Sequence, residues 1–423
     1  MEFKERPLKV AFIVGEFPDK IGTFILNQAT GLLDRGVDLK IFSLLRPREE
    51  VMSDEIRKYN LMDRIYYLNV PRNKLVRGLK AGWIIIKNLF RHPIKIWKPL
   101  NFFRYGNPAL TLNPLFFSDY FLGLKENFDI LHCHFGQRGI YGAALKDIGV
   151  KGKLVTSFYG GDLSYFVETT SSRVYAPLFE KGDLFLPLSE NFKKRLIDMG
   201  CDEKKIAVHR VGTDLSKFGL VQKKKEKSGI TLLTIARFVE KKGHKYLLEA
   251  LPLVLEKCEN VKVLLIGDGP LKKDLETLVK NLKLEKYVAF AGSISADELP
   301  RAYSKGDIYV LPSITSANGD TEGTPVSIIE AQACGLPAVS TQHSGIPEII
   351  VNNETGFLVP EKDTKALAEK IIYLIKHPAL RKKMGKKGNK FILENYDKEK
   401  QSKKLLEIYQ KIDAPPHVKN FCF

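Results

Sequence analysis

Apolar and polar positions alternate along this chain in one scheme that runs twice. Short runs rich in aliphatic and β-branched residues are separated by longer stretches with helical spacing. "LKVAFIVG" (8–15), "VDLKIFSLL" (37–45), "DILHCHF" (129–135), "KLVTSFYG" (153–160), "LFLPLS" (184–189) and "IAVHRVG" (206–212) make up the first series. The second holds "ITLLTIAR" (230–237), "VKVLLIGDG" (261–269), "VAFAG" (288–292), "IYVLPS" (308–313), "AVST" (338–341) and "GFLVP" (356–360). Most of these runs are apolar throughout rather than alternating. They predict strands covered on both faces by helices, as in parallel sheets.

Between the series lies "GLVQKKKEKSG" (219–229), charged and without periodicity, which predicts a linker. The expected fold class is therefore α/β: two Rossmann-like, doubly wound parallel-sheet domains facing each other across a cleft. Their expected limits are 1–218 and 230–395, with the amphipathic stretch 398–412 crossing back onto the first domain. Such sheets bind ligands beyond the carboxyl ends of their strands, which makes an interdomain cleft the expected active site.

Composition sharpens this picture in two ways. A chain of 423 residues is too long for one core, and an apolar fraction of 44% excludes a disordered class. Lys and Arg number 67 against 49 Asp and Glu, a formal charge of +18, which favours phosphorylated small molecules, anionic lipid or nucleic acid as partners. No stretch resembles a nucleic-acid-binding module, so that partner is not expected. Five scattered cysteines without a CxxC pair suit a reducing compartment. The acidic start makes a poor signal peptide, and no run approaches the roughly 18–20 apolar residues of a membrane span. The expected location is the cytoplasm, with a peripheral position on the inner face of the plasma membrane as one option.

Candidate chemistry gathers in the second half. In "EGTPVSIIEAQACGLP" (322–337), Thr324 as cap and Pro325 at the first helical position predict a helix to Cys334, stopped by Gly335. Its tip would favour phosphate oxygens. Glu322 then stands just outside that tip and Glu330 inside the helix. Carboxylates there would repel phosphates, so their natural partners are uncharged hydroxyls, and a nucleoside diphosphate sugar has these on both sides of its diphosphate. On spacing alone, a capping acid and a surface glutamate explain the pair as well. "ARFVEKKGH" (236–244) sets Arg237 and Lys242 at a strand end, where a diphosphate needs compensating charge. "IGDGP" (266–270) supplies a glycine turn at Gly267, and "TSANGDTEGTP" (315–325) is a polar loop suited to wrapping a ligand.

In this order and spacing, these segments together with "SGIPEII" and "ETGFLV" resemble retaining glycosyltransferases of family 4, and more narrowly the bacterial exopolysaccharide and colanic-acid types. Looser similarity continues through "DILHCHFG", "TSFYGGD" and "HRVGTDLSKF" in the first half. The resemblance implies the GT-B fold, a nucleotide-sugar donor, and a saccharide or polyprenyl-diphosphate-linked acceptor, with neither cofactor nor metal; no DxD motif is present. It implies that Glu322 holds hydroxyls of the transferred sugar and that Glu330 binds the ribose. Gly323, Thr324, Pro325, Val326 and Gly267 would line the donor, while Arg237 and Lys242 neutralise the leaving diphosphate. Tyr159 stands where many members have a histidine that touches the sugar. His134 and Asp162 are acceptor-side candidates. Gly22, in "GEFPDKIGTF", either admits close backbone approach to a substrate or makes a turn. The His132–His134 pair is read as structural or substrate-facing rather than as a metal site. A non-catalytic sugar-nucleotide or lipid-binding protein of the same fold is the alternative. A nicotinamide oxidoreductase is not, because no GxGxxG turn follows the first strand.

One segment falls outside this scheme. Residues 71–105 hold nine Lys or Arg, no acid and both tryptophans, with Leu75, Leu79, Trp83, Ile86 and Phe90 at helical spacing. They form either an interfacial helix against anionic lipid or a helix packed on the first domain with its charged side in water.

Overall fold

The computed structural model describes residues 6–18, 23–47, 53–220 and 229–414. Gly22 lies outside them, as does most of the expected linker. The chain divides into two compact units, Met1–Gly212 with Gln401–Phe423, and Thr213–Lys400.

The first unit holds β1 (Lys9–Glu16), β2 (Asp38–Leu45), β3 (Ile65–Tyr67), β4 (Ile130–His134), β5 (Lys153–Phe158) and β6 (Leu184–Pro187). The second holds β7 (Ile230–Ile235), β8 (Val261–Ile266), β9 (Val288–Phe290), β10 (Ile308–Leu311), β11 (Ala338–Thr341) and β12 (Gly356–Val359). The sheet orders are β3-β2-β1-β4-β5-β6 and β12-β11-β10-β7-β8-β9, with every pairing parallel. Each is the Rossmann order, reversing between β1 and β4 in one unit and between β7 and β10 in the other. Those reversals are where such sheets open a crevice.

Burial follows the apolar pattern. β4, β10 and β11 are buried along their whole length. In the second unit, adjacent residues of one strand feed opposite cores, as the two-residue strand period requires. Leu232 and Val310 pack with Leu247 and Leu251 on one face, while Leu233 and Leu311 pack with Ile328 and Ile329 on the other. In the first unit, Val10, Phe12 and Ile41 share a core with Leu405, Ile408 and Tyr409 of the Lys398–Asp413 helix.

Some expectations needed correction. The run 206–212 forms no strand; only Ile206 bridges to Phe185. β3 is a three-residue edge strand that the pattern did not announce. Residues 213–218, expected in the first domain, belong to the second unit because Leu215 and Phe218 pack into its core beside Tyr303. The helix expected from Pro325 runs Val326–Ala333, with Pro325 in extended conformation as its cap in place of Thr324. Among the described residues, no helix is long and apolar enough to cross a membrane.

Candidate active site

The crevice of the second unit is built by the segments that leave β7 and β10. After β7 the chain turns through Arg237 and a single 3-10 turn, Glu240–Lys242, to Gly243. Gly243 has φ +65°, and a Cβ there would lie 1.8 Å from the Pro312 carbonyl oxygen, so glycine alone lets this loop lie against the end of β10. The two loops are then stapled together. Ile314 N–H donates to the Lys241 carbonyl at 2.9 Å, Ala317 N–H to Glu240 Oε1 at 3.1 Å, and Lys241 pairs with Asp320 at 2.9 Å. Lys242 Nζ is thereby carried to within 2.8 Å of Glu322 Oε1, with both side chains largely withdrawn from solvent.

Glu322 is held by its backbone. Its N–H donates to His343 Nε2 at 3.0 Å, and the Ser344 hydroxyl donates to its carbonyl at 2.7 Å. Because His343 Nε2 accepts, the ring proton sits on Nδ1, which faces Glu361 Oε1 at 2.6 Å; Glu361 Oε2 in turn accepts from Thr315 N–H at 2.8 Å. The carboxylate itself is less committed. Its Oε1 is buried and close to Lys242, yet not aligned as a hydrogen-bond acceptor. A buried carboxylate oxygen in that condition has room for a ligand hydroxyl.

The helix that follows starts with open amides. Gly323 and Thr324 N–H have no intramolecular acceptor among the described residues, and the positive end of the Val326–Ala333 helix adds its field. Further along, Glu330 accepts a 2.6 Å hydrogen bond from the buried Tyr303 hydroxyl on Oε2. Burial pushes the Glu330 pKa up to about 7, against the opposing pull of Tyr303. Arg237 is exposed and unpaired among the described residues. Gly267, at φ +144°, packs against the same turn: a Cβ there would meet the Ala236 carbonyl oxygen at 2.0 Å, and Phe238 N–H donates to the Asp268 carbonyl at 2.9 Å. Glu322, Lys242, Arg237, Gly267, Gly323–Val326 and Glu330 thus stand at or beyond the carboxyl ends of β7, β8 and β10. His343 and Glu361 were not anticipated. The signal that could have found His343 is a histidine two positions after the buried run "AVST".

The first unit places its candidates differently. His134 ends β4 fully buried, with Nδ1 2.7 Å from the Tyr159 hydroxyl and its ring stacked on Tyr159 at 13°. Burial, then the nearby His209, pushes the His134 pKa down to about 3, so the imidazole is neutral, and its Nε2 has no hydrogen-bond partner among the described residues. His132 uses both ring nitrogens structurally, Nδ1 on the Tyr409 hydroxyl at 2.5 Å and Nε2 on the Ser157 hydroxyl at 2.8 Å. Asp162 is a correction. It is buried, and its carboxylate accepts from the amides of Gly136 (3.0 Å), Tyr159 (3.1 Å) and Gly160 (2.7 Å), which ties the β4 and β5 loops together rather than facing an acceptor. Two further polar groups gather at the β1/β4 reversal, both missed in the sequence. The Arg138 guanidinium lies where a Cβ on Gly15 would be, and the buried Gln28 amide lies beside the Tyr159 hydroxyl.

Comparison with known proteins bears on the family and the fold. Residues 219–391 match the family model described as glycosyl transferases group 1. WcaL of Escherichia coli K12, assigned to colanic acid biosynthesis, is 35% identical over 86% of this chain and 90% of its own. The amylovoran biosynthesis glycosyltransferase AmsK of Erwinia amylovora is 34% identical over 87% and 90%. Among solved structures, Anabaena HepE in complex with UDP and glucose superposes with a TM-score of 0.68 at 17% identity, over 95% of this chain and 99% of that one. Sucrose-phosphate synthase of Thermosynechococcus elongatus gives 0.72 at 19%, over 96% and 99%. With its two Rossmann sheets and full-length relatives above 30% identity, the chain belongs to the group 1 glycosyltransferases and has the GT-B fold.

Proposed function

We propose that the protein is a retaining hexosyltransferase that moves a sugar from a nucleoside diphosphate donor to a hydroxyl of a saccharide or lipid-linked saccharide during synthesis of a cell-surface polysaccharide. The observation that carries this reading is the Lys242–Glu322 pair at the β7/β10 reversal, a half-buried cation and a buried carboxylate with acceptor capacity left over. Two relatives named for exopolysaccharide synthesis, and the UDP and glucose bound by HepE, support it.

In this mechanism the diphosphate lies between Arg237, Lys242 and the open amides of Gly323 and Thr324. Glu322 accepts hydroxyls of the sugar, and Glu330 those of the ribose. As the bond from the anomeric carbon to the phosphate oxygen breaks, charge grows on that oxygen, and cations already in place stabilise it. The acceptor oxygen bonds to the same face of the anomeric carbon while its proton passes to the departing phosphate oxygen, so configuration is retained. Lys242 and Arg237 supply the charge that a divalent ion would otherwise bring, and the reaction is metal-independent.

Turnover of labelled donor with an acceptor extract tests this reading. Glu322→Gln and Lys242→Ala should each lower the transfer rate by about 10²–10³-fold, the usual cost of removing one such group. Wild-type activity should persist in EDTA. A Glu322→Gln protein with full activity overturns the assignment, and donor binding without turnover by the wild type would make the chain a binding protein instead.

A further inference from the structure

Large apolar side chains left in solvent are concentrated in one stretch of the first unit. Of nineteen such residues among those described, twelve lie between Leu75 and Leu110. Leu79 is 78% exposed, Trp83 66%, Phe90 90% and Phe103 100%. The Lys74–Leu89 helix explains the arrangement. Its inward stripe is Ala81, Ile84 and Asn88, and Asn88 is fixed by a 2.7 Å hydrogen bond to Asp119. At 3.6 residues per turn, Leu75, Leu79, Trp83, Ile86 and Phe90 fall about half a turn away, on the opposite side. The helix is thus anchored by one apolar stripe and presents a second one to solvent.

The charge around the stripe selects what covers it. Residues 71–105 contain nine cations and no acid. Several are spent inside the fold: Lys87 on Asp119 at 3.2 Å, Arg104 on Asp147 at 2.6 Å, and Lys80 on the Asn69 carbonyl at 3.1 Å. Lys74, Arg91 and Lys95 are exposed with no ion pair among the described residues. A second copy of the chain would set like charge against like charge. An apolar surface with aromatic residues and unpaired cations at its margin instead suits the headgroup zone of an anionic membrane, where tryptophan is favoured and cations are attracted.

We propose that this face, centred on Leu79, Trp83 and Phe90, docks the protein on the surface of an anionic lipid bilayer without spanning it. The residues involved are separate from those at the β7/β10 reversal, so the proposal stands or falls independently of the transfer reaction.

The chain carries its own reporters, because Trp83 and Trp97 are its only tryptophans and both are exposed. The full-length protein is mixed with phosphatidylcholine vesicles, with or without phosphatidylglycerol, and with lipids brominated near the top of their acyl chains. Blue-shifted emission, bromine quenching and co-flotation are expected on the anionic vesicles, weakening at high salt. Leu79→Glu with Phe90→Glu, and separately Lys74→Glu with Arg91→Glu and Lys95→Glu, should each lower partitioning by about tenfold or more. All these side chains point into solvent, and an unchanged melting temperature confirms that the variants fold. Absence of both the emission shift and flotation in the wild type overturns the proposal, as does undiminished flotation of both variants. A wild-type dimer that Leu79→Glu with Phe90→Glu converts to a monomer, with vesicle binding unchanged, would also overturn it and make the face a protein interface.

Discussion

Glu330 carries a burial penalty that Tyr303 offsets only in part, and this gives the proposed donor site a pH signature. Its folded pKa of about 7 lies above the ordinary carboxylate range. The resulting stability contribution is fully present below the unfolded pKa near 4.5 and is lost as pH rises through about 7. Glu330→Gln should therefore raise the melting temperature relative to wild type more at pH 8 than at pH 5; a pH-independent difference would show that Glu330 titrates normally. If the ionised carboxylate accepts ribose hydroxyls, donor binding near pH 6.5 must also release a proton. Calorimetry in two buffers of different ionisation enthalpy reads this directly, and the variant should lose it. Glu322, Glu330, Arg237 and Lys242 drew attention in the sequence as charged residues at a strand end or in an apolar helix, and the family resemblance gave them their expected roles. The role of His343 was not, since its partners Glu322 and Glu361 lie 21 and 18 positions away. Asp162 misled for a related reason: a carboxylate after a strand looks the same in sequence whether it faces a ligand or three amides of its own loops.

At the level of elements, the site depends on two loops held at backbone contact. Gly243→Ala tests this. Placing alanine at φ +65° costs about 1–2 kcal/mol by itself, and the overlap with the Pro312 carbonyl must also be relieved by moving the loop that carries Lys242. The expected result is a destabilisation of at least that size in urea, with a larger fractional loss of transfer activity. Activity equal to wild type would mean that the position of Lys242 is not fixed by this contact. The strands themselves were readable wherever a short run was rich in aliphatic residues, as in β1, β4, β7 and β8. "IAVHRVG" runs beside β6, with Ala207 and His209 N–H donating to the Phe185 and Pro187 carbonyls at 3.0 Å, yet bridges only at Ile206 and forms no strand, and β3 is too short to declare itself. Pairing partners are tertiary facts, and a local pattern does not contain them.

For the molecule as a whole, the C-terminal helix is part of the first unit despite following the second in sequence. Leu405, Ile408, Tyr409 and Ile412 are buried in that unit, and Tyr409 holds His132. Burial of four such side chains is on the order of 6–12 kcal/mol, comparable to the net stability of a domain. Deleting Gln401–Phe423 should therefore abolish cooperative unfolding of the first unit while leaving nucleotide-dependent stabilisation of the second. Two unchanged transitions would contradict that accounting. The duplication of the fold was visible in the sequence; the boundary at 212 was not, because Leu215 and Phe218 reveal their allegiance only by packing.

The central claim is that Glu322 holds the sugar while the cations and helix tip hold the diphosphate. It is tested most directly by calorimetric titration of wild type and Glu322→Gln with a nucleoside diphosphate and with its hexosyl derivative, the base being chosen by thermal shift among UDP, GDP and ADP. The account predicts that the variant binds the diphosphate as the wild type does and loses the additional affinity that the hexose confers. Equal weakening toward both ligands, or no weakening toward either, would contradict it.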